Sequence, residues 1–145
     1  MYKHLMLPTD GSELALRGVD AGIALAAVLG ASVHAFHVLR PLAAVAYLAD
    51  AIQFPATSYS QQAIARAERY LAEVARRAQD AGVPCRSSYA FDHRPYVAII
   101  GAAHREQCDL IVMGSHGRQG LDRLLLGSQT HQVILAGPLP VLVCH

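Results

Sequence analysis

Apolar runs of strand length alternate with longer stretches of helical period along the whole chain, and no other feature restricts the fold as much. Such alternation builds parallel strand–helix–strand units. Residues 3–8 (KHLMLP) read as a strand and 9–12 (TDGS) as a turn, with Ser12 capping a helix over 13–30 that Gly30 stops. Residues 32–39 (SVHAFHVL) form a second strand. Residues 40–57 have prolines near both ends and no clear period, so they read as a long connection with at most one short helix. Ser58 then caps a long helix in which Ile64, Ala67, Leu71, Val74 and Ala78 recur at three- and four-residue steps. Gly82 and Pro84 end it. The remainder gives a strand over 84–91, a helix over 95–107, a strand over 109–113, a glycine-rich segment, a helix over 129–136 and a last strand over 140–144.

Right-handed crossovers and the need to cover both faces turn five such strands into a doubly wound α/β sheet. The expected order is 3-2-1-4-5. The chain then reverses direction between the first and fourth strands, opening a crevice at their carboxyl ends, where such sheets bind ligands. The segments PTDGS (8–12) and GSHGRQG (114–120) would line it.

At 145 residues the chain has the length of one domain. Its composition, 53% hydrophobic and 16% charged, is that of a folded globular chain rather than a disordered one. A formal net charge of +1, without any block of Lys or Arg, supplies no general attraction for nucleic acid or an anionic membrane. Any anion it binds must be held locally. Cys85, Cys108 and Cys144 are widely spaced and odd in number, which suggests neither a disulfide framework nor a zinc site and fits a reducing cytoplasm. The opening residues lack the apolar core of a signal peptide, and no run reaches the roughly 18 apolar residues of a spanning helix.

The glycine-rich segment carries the chemistry. Gly114, Gly117, Gly127 and Ser128 fall in the pattern GxxGx9GS, and a helix follows. Backbone amides beside the glycines, with those at the start of that helix, form a nest suited to phosphate oxygens. Ser128 suits both a helix cap and a hydroxyl donor. Glycines that only permit turns, with a serine that only caps, account for the same residues without a ligand. The segment is not a Walker loop, since no GK[ST] is present, nor a GxGxxG fingerprint, since its early spacing is GxxGxxG.

On these residues the chain resembles the universal stress protein family, specifically its ATP-binding branch. The motif GxxGx9G[ST] is matched at Gly114, Gly117, Gly127 and Ser128, and MYKHLMLPTDGSE, FHVL and PLPVLVC are similar to the family's opening strand and turn, second strand and closing strand. The resemblance implies a bound ATP, or ADP or AMP in its place, with any Mg²⁺ held by phosphates and water rather than by a protein metal site. It implies that Asp10 accepts from the ribose hydroxyls, and that Pro8 and Thr9 also belong to the nucleotide site. Val38 would lie against the base and Met113 near the base or ribose; Gly114, Gly117, Gly127, Ser128 and Gln129 would face the phosphates, Arg118 would neutralise their charge, and Thr130 would also belong to the nucleotide site. Each has a plain structural reading too: Asp10 as a turn residue, Val38 and Met113 as core, Arg118 as a solvated charge. Gln129 departs from the small or aliphatic residue frequent there, and the turn FDHRP, with His93 and Arg94, is bulkier and more charged than the usual one.

Catalytic patterns are lacking. Ser115 and His116 are neighbours, but GxSxG is absent and adjacent side chains do not readily pair as nucleophile and base. The eight histidines show no HExxH or similar spacing, and no paired carboxylates suggest phosphoryl transfer. The expectation is a cytoplasmic, nucleotide-dependent regulator of the stress response acting on an unidentified protein partner. A slow ATPase or adenylyl-transferring enzyme and a nucleotide-independent interaction module are the alternatives. The last strand, apolar on both faces and without a charge to blunt its edge, predicts a homodimer joined through Val141 to Cys144, as the resemblance also implies.

Overall fold

The computed structural model describes residues 1–42, 56–115 and 126–145. Five strands, β1 (His4–Pro8), β2 (Ser32–Leu39), β3 (Cys85–Phe91), β4 (Leu110–Gly114) and β5 (Val141–Cys144), form one sheet in the order β3-β2-β1-β4-β5. Every pairing is parallel, with Leu5 opposite Val33 and Leu110, Val33 opposite Cys85, and Val112 opposite Leu142. The expected doubly wound α/β sheet is therefore the observed one.

Four helices cover it: α1 (Glu13–Leu29), α2 (Ala56–Asp80), α3 (Pro95–Arg105) and α4 (Ser128–Ala136). The first helix starts and stops where its sequence says. Ser12 is the N-cap and its hydroxyl accepts from the Ala15 N–H at 3.2 Å, while Gly30 takes the left-handed conformation at φ 65° and donates to the Ala26 carbonyl. α2 begins at Ala56, so Ser58 lies inside it rather than capping it. No breaker separates Ala56 from Ser58, and serine is tolerated in a first turn. Strand and helix ends elsewhere move by one or two residues, and β4 runs on to Gly114 because that residue still pairs with Cys144.

The central strands β1, β2 and β4 are buried on both faces, which is why their apolar runs are largely continuous rather than alternating. Leu5, Leu7, Val33, Ala35, Leu110 and Val112 pack on one side with Val19, Ile23, Leu71 and Val74 of α1 and α2. Met6, Phe36, Ile111 and Met113 pack on the other with Ala98, Ile99, Ala102 and Val133 of α3 and α4. Burying each large apolar side chain contributes about 1.5–3 kcal/mol, against about 0–1 kcal/mol for an exposed ion pair, so the two cores decide the fold. α1 and α2 are also joined by Arg77, which reaches Asp20 at 2.7 Å and Glu73 at 2.7 Å. No helix among the described residues is long and apolar enough to cross a membrane. The connection within 40–57 falls largely outside the described residues.

Candidate functional site

The turn after β1 is held at every step. Thr9 is buried; its N–H donates to the Phe36 carbonyl at 2.9 Å and its hydroxyl oxygen accepts from the Gly11 N–H at 3.1 Å. Asp10 follows, half-buried, with Oδ1 accepting from the Ser12 N–H at 3.0 Å. This is an Asx turn leading straight into the Ser12 cap of α1. Gly11 sits at φ +77°, and any side chain there would collide with the ring of Tyr70 from α2. The glycine is required on both grounds.

At the end of β4, Gly114 faces the first turns of α1 so closely that a Cβ would stand 2.6 Å from the Leu14 carbonyl oxygen. Glycine here lets helix and strand approach. Ser115, 2% exposed, links three elements: its N–H donates to the Cys144 carbonyl at 2.7 Å, and its carbonyl accepts from the Gly127 N–H at 2.6 Å. That bond fixes residue 127 outside the helix, and the Gly127 carbonyl accepts from the His131 N–H at 2.9 Å, the first bond of α4. Gly127 is accordingly the N-cap, and Ser128 is the first helical residue rather than the cap. Among the described residues no side chain caps this helix, unlike α1. Its entrance therefore presents N–H groups that have no intrahelical acceptor, beside the exposed Ser128.

The next two residues turn inward. Gln129 Oε1 accepts from the Tyr96 N–H at 2.9 Å, joining the entrances of α3 and α4, and the Thr130 hydroxyl donates to the Gly114 carbonyl at 2.9 Å. Val38 and Met113 lie on one face of the sheet, against the core under α3 and α4. Pro8 ends β1 between their strands. In the turn after β3, Asp92 Oδ1 accepts from the Arg94 N–H at 2.8 Å, while His93 and Arg94 are exposed. His116, Gly117, Arg118 and Gly120 lie outside the described residues.

Two residues that sequence reasoning passed over help shape this site. His37 Nδ1 lies 2.7 Å from the Thr9 carbonyl, and the His37 ring meets Tyr70 edge-on with centroids 5.2 Å apart. The one local signal was the DG pair at Asp10–Gly11, which favours a left-handed turn but says nothing of what packs beside it. Among the described residues no three His, Cys, Asp or Glu side chains could share a metal ion. The three cysteines are unpaired, and burial pushes the Cys108 thiol up to about 12.

This fold has known counterparts. The sequence profile described as the Universal stress protein family matches residues 1–145. A universal stress protein of Thermus aquaticus is 34% identical over 143 residues, covering 99% of this chain and 98% of its own. Universal stress protein MJ0531 of Methanocaldococcus jannaschii is 32% identical over 147 residues, covering 99% of this chain and 82% of its own. Among solved structures, that of protein MJ0577 superposes with a TM-score of 0.82 at 26% identity, covering 99% of this chain and 95% of the other. A universal stress protein in complex with cAMP superposes at 0.69 with 25% identity, covering 99% and 97%. With the sheet order, the turns at the carboxyl ends of β1 and β4, and a match along the full sequence in agreement, this chain belongs to the universal stress protein family.

Proposed function

We propose that this protein is an ATP-binding universal stress protein, a homodimeric regulator whose interactions depend on the nucleotide held across the carboxyl ends of β1 and β4. The observation that carries the reading is the meeting of unlike groups at that end of the sheet. A carboxylate fixed on a tight turn, Asp10, stands at the end of β1, and across the switch point the helix entrance at Gly127–Ser128 has no side-chain cap among the described residues. A short carboxylate suits the vicinal hydroxyls of ribose, and N–H groups at a helix entrance suit phosphate oxygens. Pro8, Thr9 and Asp10 serve the ribose side, and Val38 and Met113 the base. Gly114, Gly117, Arg118, Gly127, Ser128, Gln129 and Thr130 serve the phosphates, Thr130 through its backbone because its hydroxyl is spent on Gly114. Mg²⁺ enters with the phosphates and water as its ligands. That a relative of this fold at 25% identity was solved with cAMP supports an adenine nucleotide.

Equilibrium dialysis with ATP tests the site. Asp10→Ala and Gly127→Val should each weaken saturable binding by about tenfold or more, the worth of one or two lost polar contacts; affinity unchanged in both overturns the assignment. Gly114→Val is not a fair test, since its side chain would strike the Leu14 carbonyl whether or not a ligand is present. Mass spectrometry of the nucleotide that copurifies would identify the ligand directly.

The dimer rests on β5. It is a sheet edge, and Leu142 is 41% exposed on it while Leu135 of the neighbouring α4 is 70% exposed. Pairing with a second copy would cover these groups. Leu142→Arg should convert the dimer to a monomer in sedimentation velocity, and a wild-type protein that sediments as a monomer contradicts this part of the reading.

A further inference from the structure

The Asp10 turn is braced from the side of the sheet that α2 covers. His37 shares that face of β2 with Val33 and Ala35, the core residues under α1 and α2. Its Nδ1 is 2.7 Å from the Thr9 carbonyl oxygen. A carbonyl oxygen only accepts, so Nδ1 carries the proton and donates it. The bond engages the one group that sets the orientation of the next residue. The peptide unit from the Thr9 carbonyl to the Asp10 nitrogen is planar, so fixing its oxygen fixes the axis from which Asp10 projects. The Thr9 N–H is already tied to Phe36 on β2. Rotating the peptide would break the His37 bond and leave the carbonyl of a residue 6% exposed without its partner.

Tyr70 completes the brace. It meets the His37 ring edge-on, at 5.2 Å between centroids and 76° between planes, a favourable aromatic geometry. The same tyrosine ring fills the space next to Gly11, where any Cβ would collide with it. It therefore backs the left-handed residue of the turn at φ +77°, the hinge about which an Asx turn next to glycine would otherwise move.

We propose that His37 and Tyr70 are positioning residues of the nucleotide site. They hold the Thr9–Ser12 turn so that the Asp10 carboxylate stands ready for ribose hydroxyls, and they act through Asp10 rather than on the ligand. The inference rests on reading this crevice as an adenine nucleotide site, and it assigns α2 a part in that site.

The test compares ATP with 2′,3′-dideoxy-ATP, which lacks both ribose hydroxyls, by calorimetry on the full-length protein, with a thermal melt of each variant to record folding. His37→Leu should weaken ATP about tenfold, the worth of one hydrogen bond transmitted through Asp10, and leave dideoxy-ATP within about twofold. His37→Asn should restore ATP, because the asparagine amide nitrogen can stand where Nδ1 stood and donate to Thr9. In an Asp10→Ala background His37→Leu should have no further effect, the signature of two residues acting as one unit. Tyr70→Ala should show the same selective loss of ATP. Equal weakening of both nucleotides, no weakening of either, or failure of asparagine to restore binding overturns the positioning role. Wild-type protein that binds neither nucleotide overturns the site reading itself, an outcome seen before any variant is made.

Discussion

Gly18 of α1 and Gly114 of β4 touch backbone to backbone: a Cβ on Gly18 would stand 2.7 Å from the Gly114 nitrogen, and one on Gly114 2.6 Å from the Leu14 carbonyl oxygen. Neither obstacle is a side chain that can rotate away. Gly18→Ala and Gly114→Ala should each destabilise the protein by about 1–3 kcal/mol, the usual cost of overpacking. Thermal melts read this directly. Because each change forces the same separation of helix and strand, the double variant should lose less than the sum. Full additivity would show that the two glycines are not one contact.

Gln129 offers a substitution whose effects on stability and binding should part. Gln129→Glu keeps an oxygen acceptor for the Tyr96 N–H and adds negative charge beside the positive ends of α3 and α4. The melting temperature should rise by about 1–4 °C. ATP affinity should fall, since the same charge opposes phosphate. A variant that loses stability would mean that the bond to Tyr96 is not a helix cap.

His34 is buried at 3% exposure, with Nε2 paired to the Ser88 hydroxyl at 2.8 Å and Nδ1 without a hydrogen-bond partner, 3.7 Å from Glu106 Oε2. Burial lowers its pKa from the ordinary 6.5, against the opposing pull of Glu106. The neutral ring is thus favoured in the folded state. Its contribution is fully present above pH 6.5 and is lost as the pH falls through that value towards the lower folded one, with a slope of at most about 1.4 kcal/mol per pH unit. Between pH 7 and 5 the melting temperature of the wild type should fall more than that of His34→Leu. Equal falls would locate the acid sensitivity elsewhere.

Glu73 receives hydrogen bonds from Arg76 and Arg77, which hold its carboxyl at about 2 instead of 4.5. A depressed carboxylate stabilises fully above its unfolded value of 4.5, and that stabilisation drains away as the pH falls towards 2. NMR titration should find the Glu73 midpoint near the lower value and see it climb towards 4.5 in Arg76→Met. Arg77→Met, which also parts α1 from α2 at Asp20, should lower the melting temperature by about 1–3 °C in dilute buffer and by less in 0.5 M salt, because exposed pairs are screened.

Features fixed by neighbouring residues were legible in the sequence. Ser12 and Gly30 bound α1 as read because a cap is chosen by chemistry within one turn; the doubly wound sheet followed from alternation and crossover handedness, and its order 3-2-1-4-5 is one common arrangement of five such strands. Features fixed by distant residues were not. Gly114 looked like a floor for phosphate, but its lack of a side chain answers first to Leu14, a hundred residues earlier in the chain. Ser128 looked like a cap until the Ser115 carbonyl claimed the Gly127 N–H and moved the boundary by one residue. Gln129 reads on the phosphate side as a departure from the small or aliphatic residue frequent there, and nothing near it in sequence announces Tyr96. His37 reads as one more residue of an apolar strand; only folding brings its nitrogen to the Thr9 carbonyl.

Ser115 spends its two backbone groups in opposite directions, on the last rung of the sheet and on the residue that opens α4. β5 has only four residues and, at the sheet edge, pairs with β4 alone. Here a slip of one residue would exchange Leu142 and Cys144 with Val141 and Val143 across the sheet and would break the Ser115–Cys144 bond. Ser115 thus works as a detent, locking the register of the outermost strand to the placement of a helix mouth.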